Sequence, residues 1–161
     1  MAKRIDPATL PVVTGTLYPS PFDQPCRDRR RTRLADAAGL TQYGVNLVRL
    51  GPGAWSSQRH WHIAQDEFVY VLSGEVTLVT DAGAETLRAG DCAGFKAGDE
   101  NGHHFQNRSN AEVTFLEMGT RLPGDGAFYS DIDMKVSADD PPATYRHRDG
   151  TAYPKQERRG P

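Results

Sequence analysis

Apolar and β-branched residues recur through the middle of the chain in short runs separated by glycine-rich turns. Seven such runs lie within residues 41–119: VNLVRL (45–50), EFVYVL (67–72), EVTLVT (75–80), ETL (85–87), DCAGF (91–95), HHFQN (103–107) and EVTFLEM (112–118). No segment between them has the 3.6-residue period of a long amphipathic helix. Short strands at regular spacing with turn residues between them are typical of an all-β sandwich or barrel. With no internal repeat visible, residues 41–119 are predicted to form one barrel.

The residues before this core have a different character. Residues 1–26 carry five prolines, at positions 7, 11, 19, 21 and 25, which favour an extended arm over a regular helix. Residues 27–33 (RDRRRTR) hold five arginines. They are interpreted as a solvated, charged turn rather than an anion or nucleic-acid patch, because the run is short and the net charge is not basic. LADAAGL predicts a brief helix ended by Gly39. Residues 1–40 are therefore predicted to be an N-terminal arm and lead-in.

Residues 120–161 are polar and rich in proline and glycine. They are predicted to form a C-terminal extension that packs on the barrel, adding either an edge strand or a wrapping tail around residues 127–136. The last few residues are expected to be disordered, because their composition offers little apolar surface to bury.

Bulk composition narrows the class of protein. The chain has 161 residues, 37% of them hydrophobic, and a formal net charge of -2, which suits one soluble domain and gives no reason to expect a nucleic-acid or membrane partner. No signal-peptide pattern or membrane-spanning apolar stretch is visible, so a cytoplasmic location is expected. The two cysteines, Cys26 and Cys92, fit a reducing compartment, and Cys92 is expected to be a small buried hydrophobe.

Candidate chemistry is concentrated in the segment GAWSSQRHWHIAQDEFVYVLSGE. On a strand, His60 and His62 point to the same face, and Glu67 opens the next strand after a short turn. Two imidazoles and a carboxylate suit a divalent first-row transition metal. The alternative is a pair of ordinary surface or core histidines. That alternative is weakened because four of the five histidines fall at strand starts within the one predicted barrel.

The spacing of these residues resembles the first motif of the cupin superfamily. The chain has Gly53, six residues, His60-x-His62, four residues, Glu67, six residues and Gly74, and only the first gap differs from the family pattern, by one residue. The second cupin motif is matched by Gly90, five residues, Lys96-Ala97-Gly98, four residues, His103, three residues and Asn107. There Lys96 replaces a proline, and the loop before His103 is two residues longer.

The resemblance is to small single-domain bacterial cupins. It implies a single double-stranded β-helix, or jelly-roll, barrel that holds one divalent metal ion through His60, His62, Glu67 and His103, with two positions left open. The family uses iron, manganese, nickel, zinc or copper, and the sequence does not choose among them. The three-residue spacing to Asn107 favours His103 over its neighbour His104 as the fourth ligand. Cupin barrels commonly pair, so a homodimer is expected.

The expected function is that of a metal-dependent enzyme on a small oxygen-bearing metabolite that chelates the ion. Dioxygenase, lyase, decarboxylase and isomerase chemistry are all compatible with the resemblance, and no general acid or base is evident beyond the ligands. A sugar-phosphate isomerase ranks below oxygenase or lyase chemistry, because Lys96 is the only visible candidate for an inward cation. The alternative is a non-catalytic module that binds or senses metal or a small ligand.

Overall fold

The computed structural model, which describes residues 4–137, 140–141 and 144–161, contains twelve strands and little helix. The strands are β1 (Val12–Thr14), β2 (Arg29–Arg33), β3 (Tyr43–Leu50), β4 (His60–His62), β5 (Glu67–Ser73), β6 (Glu75–Thr80), β7 (Gly83–Arg88), β8 (Cys92–Phe95), β9 (His104–Gln106), β10 (Val113–Thr120), β11 (Gly126–Tyr129) and β12 (Lys135–Ser137). The described helices are short: α1 (Leu34–Ala38) and two 3₁₀ turns, Pro7–Thr9 and Gln24–Cys26. None of them has the length and apolar character needed to cross a bilayer.

The strands form three antiparallel sheets. Six strands line up in the order β1-β2-β3-β10-β5-β8, and two three-stranded sheets have the orders β12-β11-β4 and β7-β6-β9. The six-stranded sheet and the β7-β6-β9 sheet share one apolar core, which includes Val48, Val71, Phe105 and Phe115. This is the predicted all-β jelly-roll barrel, and each predicted run overlaps a strand.

The alternating exposure of side chains along β5 shows which face of this strand points into the barrel. Val69 and Val71 are 3% and 0% exposed, whereas the residues between and beside them, Phe68, Tyr70 and Leu72, are exposed. Because side chains on a strand alternate, Glu67 shares the inner face with the two valines. The Glu67 carboxylate therefore lies at the end of the barrel core, next to the buried side chains of Val69 and Val71.

The arginine-rich segment is a strand, which corrects the expectation of a solvated turn. Strand β2 pairs with β1 on one side and with β3 on the other. Arg29 and Arg31 lie opposite Leu50 and Val48, both fully buried, so their side chains start on the inner face. The run contains no apolar residue, and its strand conformation comes from pairing with distant strands. Helix α1 follows as predicted, with Gly39 in the left-handed conformation at φ 74°.

Two further expectations concern exposure and the C-terminal extension. Cys92 is exposed rather than buried, because it lies opposite the outward-facing Tyr70 on β5. Strands β11 and β12 lie where an edge strand or a wrapping tail was expected, and residues 138–139 and 142–143 of the extension lie outside the described residues. At the chain end, for which disorder was expected, Arg159 exchanges backbone hydrogen bonds with Thr16 of the arm. The boundaries 1–40, 41–119 and 120–161 stay predictions.

Candidate metal centre

Three of the predicted ligands converge at the β4–β5 connection. In β4, His60 and His62 pair with Tyr129 and Ala127 of β11, and their side chains project from one face. Glu67 reaches the same point from the start of β5. Potential ligand atoms of the two histidines and the glutamate all lie within 4.8 Å of one another, so this group could hold a metal ion.

His103 approaches the same carboxylate from another part of the chain. The backbones of His60 and His103 form an isolated antiparallel bridge, with N–O distances of 3.1 and 2.8 Å. From there, Nε2 of His103 lies 3.0 Å from Oε2 of Glu67, and Nε2 of His62 and of His60 lie 3.6 and 3.9 Å from the same oxygen. The structure thus brings all four predicted residues together.

His104 lies on the opposite face and is held by other contacts. Its Nδ1 lies 2.9 Å from the Ser57 carbonyl oxygen, and its ring meets Trp55 edge-on at a centroid distance of 4.8 Å. It is 3% exposed. By contrast, the His103 ring stacks on Phe95 with centroids 3.5 Å apart and planes 5° from parallel. The structure therefore gives His104 a packing role and directs His103 toward Glu67.

The imidazole orientations suit metal binding. Nδ1 of His60 lies 2.9 Å from the Gln58 carbonyl oxygen and Nδ1 of His62 lies 2.8 Å from Oδ2 of Asp125, so each Nδ1–H donates to an oxygen. In that tautomer each Nε2 keeps a free lone pair facing Glu67. Oε2 of Glu67 is buried and accepts no well-aligned hydrogen bond from a described residue. A buried carboxylate oxygen that has three imidazole nitrogens within 3.9 Å and no well-aligned donor fits a divalent cation.

The protonation states of these groups also favour a cation. Burial lowers the pKa of His60 to about 3, so its imidazole is neutral at physiological pH. Burial raises the pKa of Glu67, but the adjacent His103 and the other imidazoles lower it by more and hold it at about 2. A neutral imidazole beside an ionised carboxylate is the state in which both can ligate a metal.

Asp125 is a residue of this site that sequence reasoning missed. It precedes β11, and its Oδ1 accepts the backbone N–H groups of Ala64 and Gln65 at 3.0 and 3.1 Å while its Oδ2 accepts from His62. It thereby fixes both the turn between β4 and β5 and the tautomer of His62. Its distance in sequence from the His-x-His motif left no local signal that could have identified it.

Replacing Asp125 with Asn is expected to weaken metal binding by about 10–100-fold at neutral pH. The amide oxygen must remain on the two backbone N–H groups, so the NH₂ group faces Nδ1 of His62 and favours the tautomer with a proton on Nε2. Burial lowers the pKa of His62, but Asp125 and Glu67 raise it by more. The difference in metal affinity between Asp125→Asn and the wild type should therefore become smaller at acidic pH, because a proton competes with the metal for His62 of the wild type. Titration against a chromophoric chelator measures this.

Asp133 offers a matched control. It makes the same kind of contact at the surface, with Oδ2 2.8 Å from Nδ1 of His147. Asp133→Asn should leave metal affinity unchanged, and equal losses in the two variants would contradict the role given to Asp125.

Two cavities flank the cluster, and His62, Gln65 and Glu67 line both. One, of ≈ 330 Å³, extends past Phe95, Lys96 and Asn101. The other, of ≈ 270 Å³, is lined by arginines at positions 29, 31 and 121, together with Tyr18 and Glu117. The expectation that Lys96 is the only candidate cation is therefore wrong. Pairing of β2 with β3 carries two arm arginines to the site, which the sequence order did not reveal.

Comparison with known proteins gives a consistent result. The Cupin_2 family model, described as a cupin domain, matches residues 46–119. A sugar phosphate isomerase from Silicibacter pomeroyi is 45% identical, with a TM-score of 0.88 over 94% of this chain and 97% of that one. A candidate sugar phosphate isomerase from Acidithiobacillus ferrooxidans is 29% identical, with a TM-score of 0.65 over 79% and 75%.

More distant structures show the fold alone. A polyketide cyclase from Streptomyces resistomycificus has 18% identity and a TM-score of 0.61 over 74% of this chain and 80% of that one. Among curated proteins, no sequence matches the chain. The paired motifs, the jelly-roll topology and the 45% identity over nearly the whole length lead to one conclusion. The chain belongs to the cupin superfamily.

Proposed function

We propose that this cupin is a metal-dependent isomerase of a small sugar-type metabolite, with its metal held by His60, His62, Glu67 and His103. One observation carries the proposal. The Nε2 atoms of three histidines, His60, His62 and His103, surround one buried carboxylate oxygen of Glu67. This cluster lies between two cavities that can admit a ligand. The native metal is one of the first-row divalent ions, and the donor set of three nitrogens and an oxygen suits several of them.

Isomerase chemistry fits the residues around the cluster better than the other reactions open to cupins. A bound metal would polarise a carbonyl and an adjacent hydroxyl of the substrate. A second group must then take a proton from one carbon and return it to its neighbour. Glu117 is suited to this role: it lines the arginine-side cavity with His60 and His62, and its Oε1 accepts a hydrogen bond from Asn46 at 3.1 Å. The name of the Silicibacter pomeroyi relative supports the same class.

The test is metal-dependent isomerisation followed by NMR. Metal-free protein reconstituted with iron, manganese, nickel, zinc or copper is incubated in D₂O with a panel of aldoses, ketoses and their phosphates. We expect interconversion of one aldose–ketose pair, with deuterium entering at the carbon next to the carbonyl. The metal-free protein should show neither interconversion nor deuterium incorporation. A metal spectrum perturbed by ligand, with no interconversion and no exchange, would contradict the proposal and favour a binding or sensing module.

A homodimer and a cytoplasmic location stay predictions. Light scattering should give a mass near twice 17.7 kDa for the dimer, and a monomer at micromolar concentration would contradict it.

A further inference from the structure

The arginine-side cavity has an uneven distribution of charge. Its lining includes the side chains of Arg29, Arg31 and Arg121, here called the arginine wall, and those of His60, His62 and Glu67 of the metal cluster. Two carboxylates face it, those of Glu67 and Glu117. Glu67 belongs to the cluster. Glu117 lies beside Arg31, so three guanidinium groups share one carboxylate there and the arginine wall keeps an excess of positive charge.

Arg31 is the cation in this wall with the fewest contacts. Its side chain is 23% exposed, its buried Nε, like that of Arg29, has no hydrogen-bond partner among the described residues, and no described hydrogen bond holds its guanidinium. Its ion pair, from Nη1 to Oε1 of Glu117, spans 3.7 Å, beyond hydrogen-bond reach. Burial lowers the pKa of Arg31. The Glu117 carboxylate raises this pKa, whereas the positive charges of Arg29 and Arg33 lower it further. A guanidinium has five donors, and leaving them unsatisfied in a buried site is costly.

The neighbouring arginines are already anchored. Arg29 donates from Nη1 to the Ser56 carbonyl oxygen at 2.6 Å, and Arg121 donates to the Leu40 carbonyl oxygen at 3.2 Å and pairs with Asp36. They supply positive charge at fixed positions around Arg31. Such a preorganised group loses little freedom when an anion arrives.

Two glycines keep the space between this wall and the cluster open. Gly44 and Gly119 lie opposite each other on β3 and β10. A Cβ at Gly44 would stand 3.5 Å from Nη2 of Arg121, and a Cβ at Gly119 would stand 3.6 Å from Cγ of Glu67. Side chains here would occupy the path between the arginines and the carboxylate, so their absence lets one ligand reach both.

We propose that this cavity binds a phosphate monoester through Arg31, with Arg29 and Arg121 contributing charge, and that the substrate is therefore a phosphorylated sugar. This inference rests on the proposed function for the identity of the sugar, but not for the anion site itself. A guanidinium fork matches the oxygens of phosphate in a bidentate pair. The phosphate would lie at the arginine wall while the sugar's carbonyl end extends toward His60, His62 and Glu67.

The experiment uses the full chain without metal and titrates inorganic phosphate by calorimetry. We expect the wild type to bind phosphate and Arg31→Gln to bind it about tenfold or more weakly, because it loses charged hydrogen bonds. Arg30→Gln is the matched control. Arg30 is the next residue on β2 and lies on the opposite face, where it pairs with Asp28 and Glu112. The Arg30→Gln protein should bind phosphate as tightly as the wild type.

A second arm separates this inference from the proposed function. Arg31→Gln should retain metal, and its KM for the phosphorylated sugar should rise about tenfold or more relative to Arg30→Gln. Phosphate binding that depends on Arg31 would support the anion site even if no isomerisation were found. No phosphate binding by the wild type would overturn it, even if an unphosphorylated sugar were isomerised. Binding of gluconate, a sugar carboxylate, in preference to phosphate would overturn the phosphate assignment.

Discussion

Replacing His103 with alanine is expected to remove the metal from this protein, whereas replacing the adjacent His104 is expected to leave it in place. Nε2 of His103 lies 3.0 Å from Oε2 of Glu67, while Nδ1 of His104 faces the Ser57 carbonyl oxygen on the other side of the strand. Loss of a ligand should cost more than the ~10–100-fold that loss of a supporting residue costs. We therefore expect His103→Ala to weaken metal binding by about 100-fold or more.

The pair of variants controls for folding as well as for position. His103 and His104 are 5% and 3% exposed, so both substitutions leave a cavity of similar size. Elemental analysis after growth in metal-rich medium, followed by chelator titration, measures retention, and circular dichroism reports the fold. A metal-free His104→Ala protein beside a metal-loaded His103→Ala protein would show that the register assigned here is wrong.

Replacing Phe115 with alanine is expected to lower the free energy of unfolding by about 3–5 kcal/mol. Phe115 is fully buried on β10 and lies 5.5 Å, centroid to centroid, from Phe105 of the other sheet. Its removal leaves a cavity between two sheets whose strands cannot easily close the gap. Urea unfolding should show a lower midpoint with an unchanged slope.

Phe68→Ala is the control for this prediction. Phe68 is on the neighbouring strand β5, but it is 42% exposed on the outer face. Its removal should cost less than about 1.5 kcal/mol, because part of its surface stays in contact with water. Similar losses in the two variants would mean that the apolar core between the sheets does not dominate stability.

Local pattern was enough for much of the fold. The two-residue period of a strand places Val69 and Val71 on the same face as Glu67, and the observed burial of both valines shows that this face is inside. The pairing of His60 with His62 depended only on the two-residue period of a strand. The four candidate ligands came from the resemblance to cupin motifs, and they do converge in space. These features depend on short-range geometry or on motif spacing, so they can be seen in a linear sequence.

Other features of the site depend on contacts between distant segments. The segment RDRRRTR has the composition of a solvated loop, and only its pairing with β1 and β3 makes it a strand with Arg31 facing a cavity. Asp125 lies 63 residues from His62 and is brought to it by the pairing of β11 with β4. Cys92 is exposed because of its register opposite Tyr70.

The sequence by itself thus indicated an all-β class through the period and spacing of its strands, and its resemblance to the cupin motifs supplied the jelly-roll barrel, the candidate metal ligands and the preference for His103 over His104. Only the tertiary structure decided what surrounds those ligands: the carboxylate that orients His62 and the arginines that line the adjoining cavity. Strand order and register bring these residues to the site. Both are set by the packing of whole sheets, and no local run of residues encodes either one.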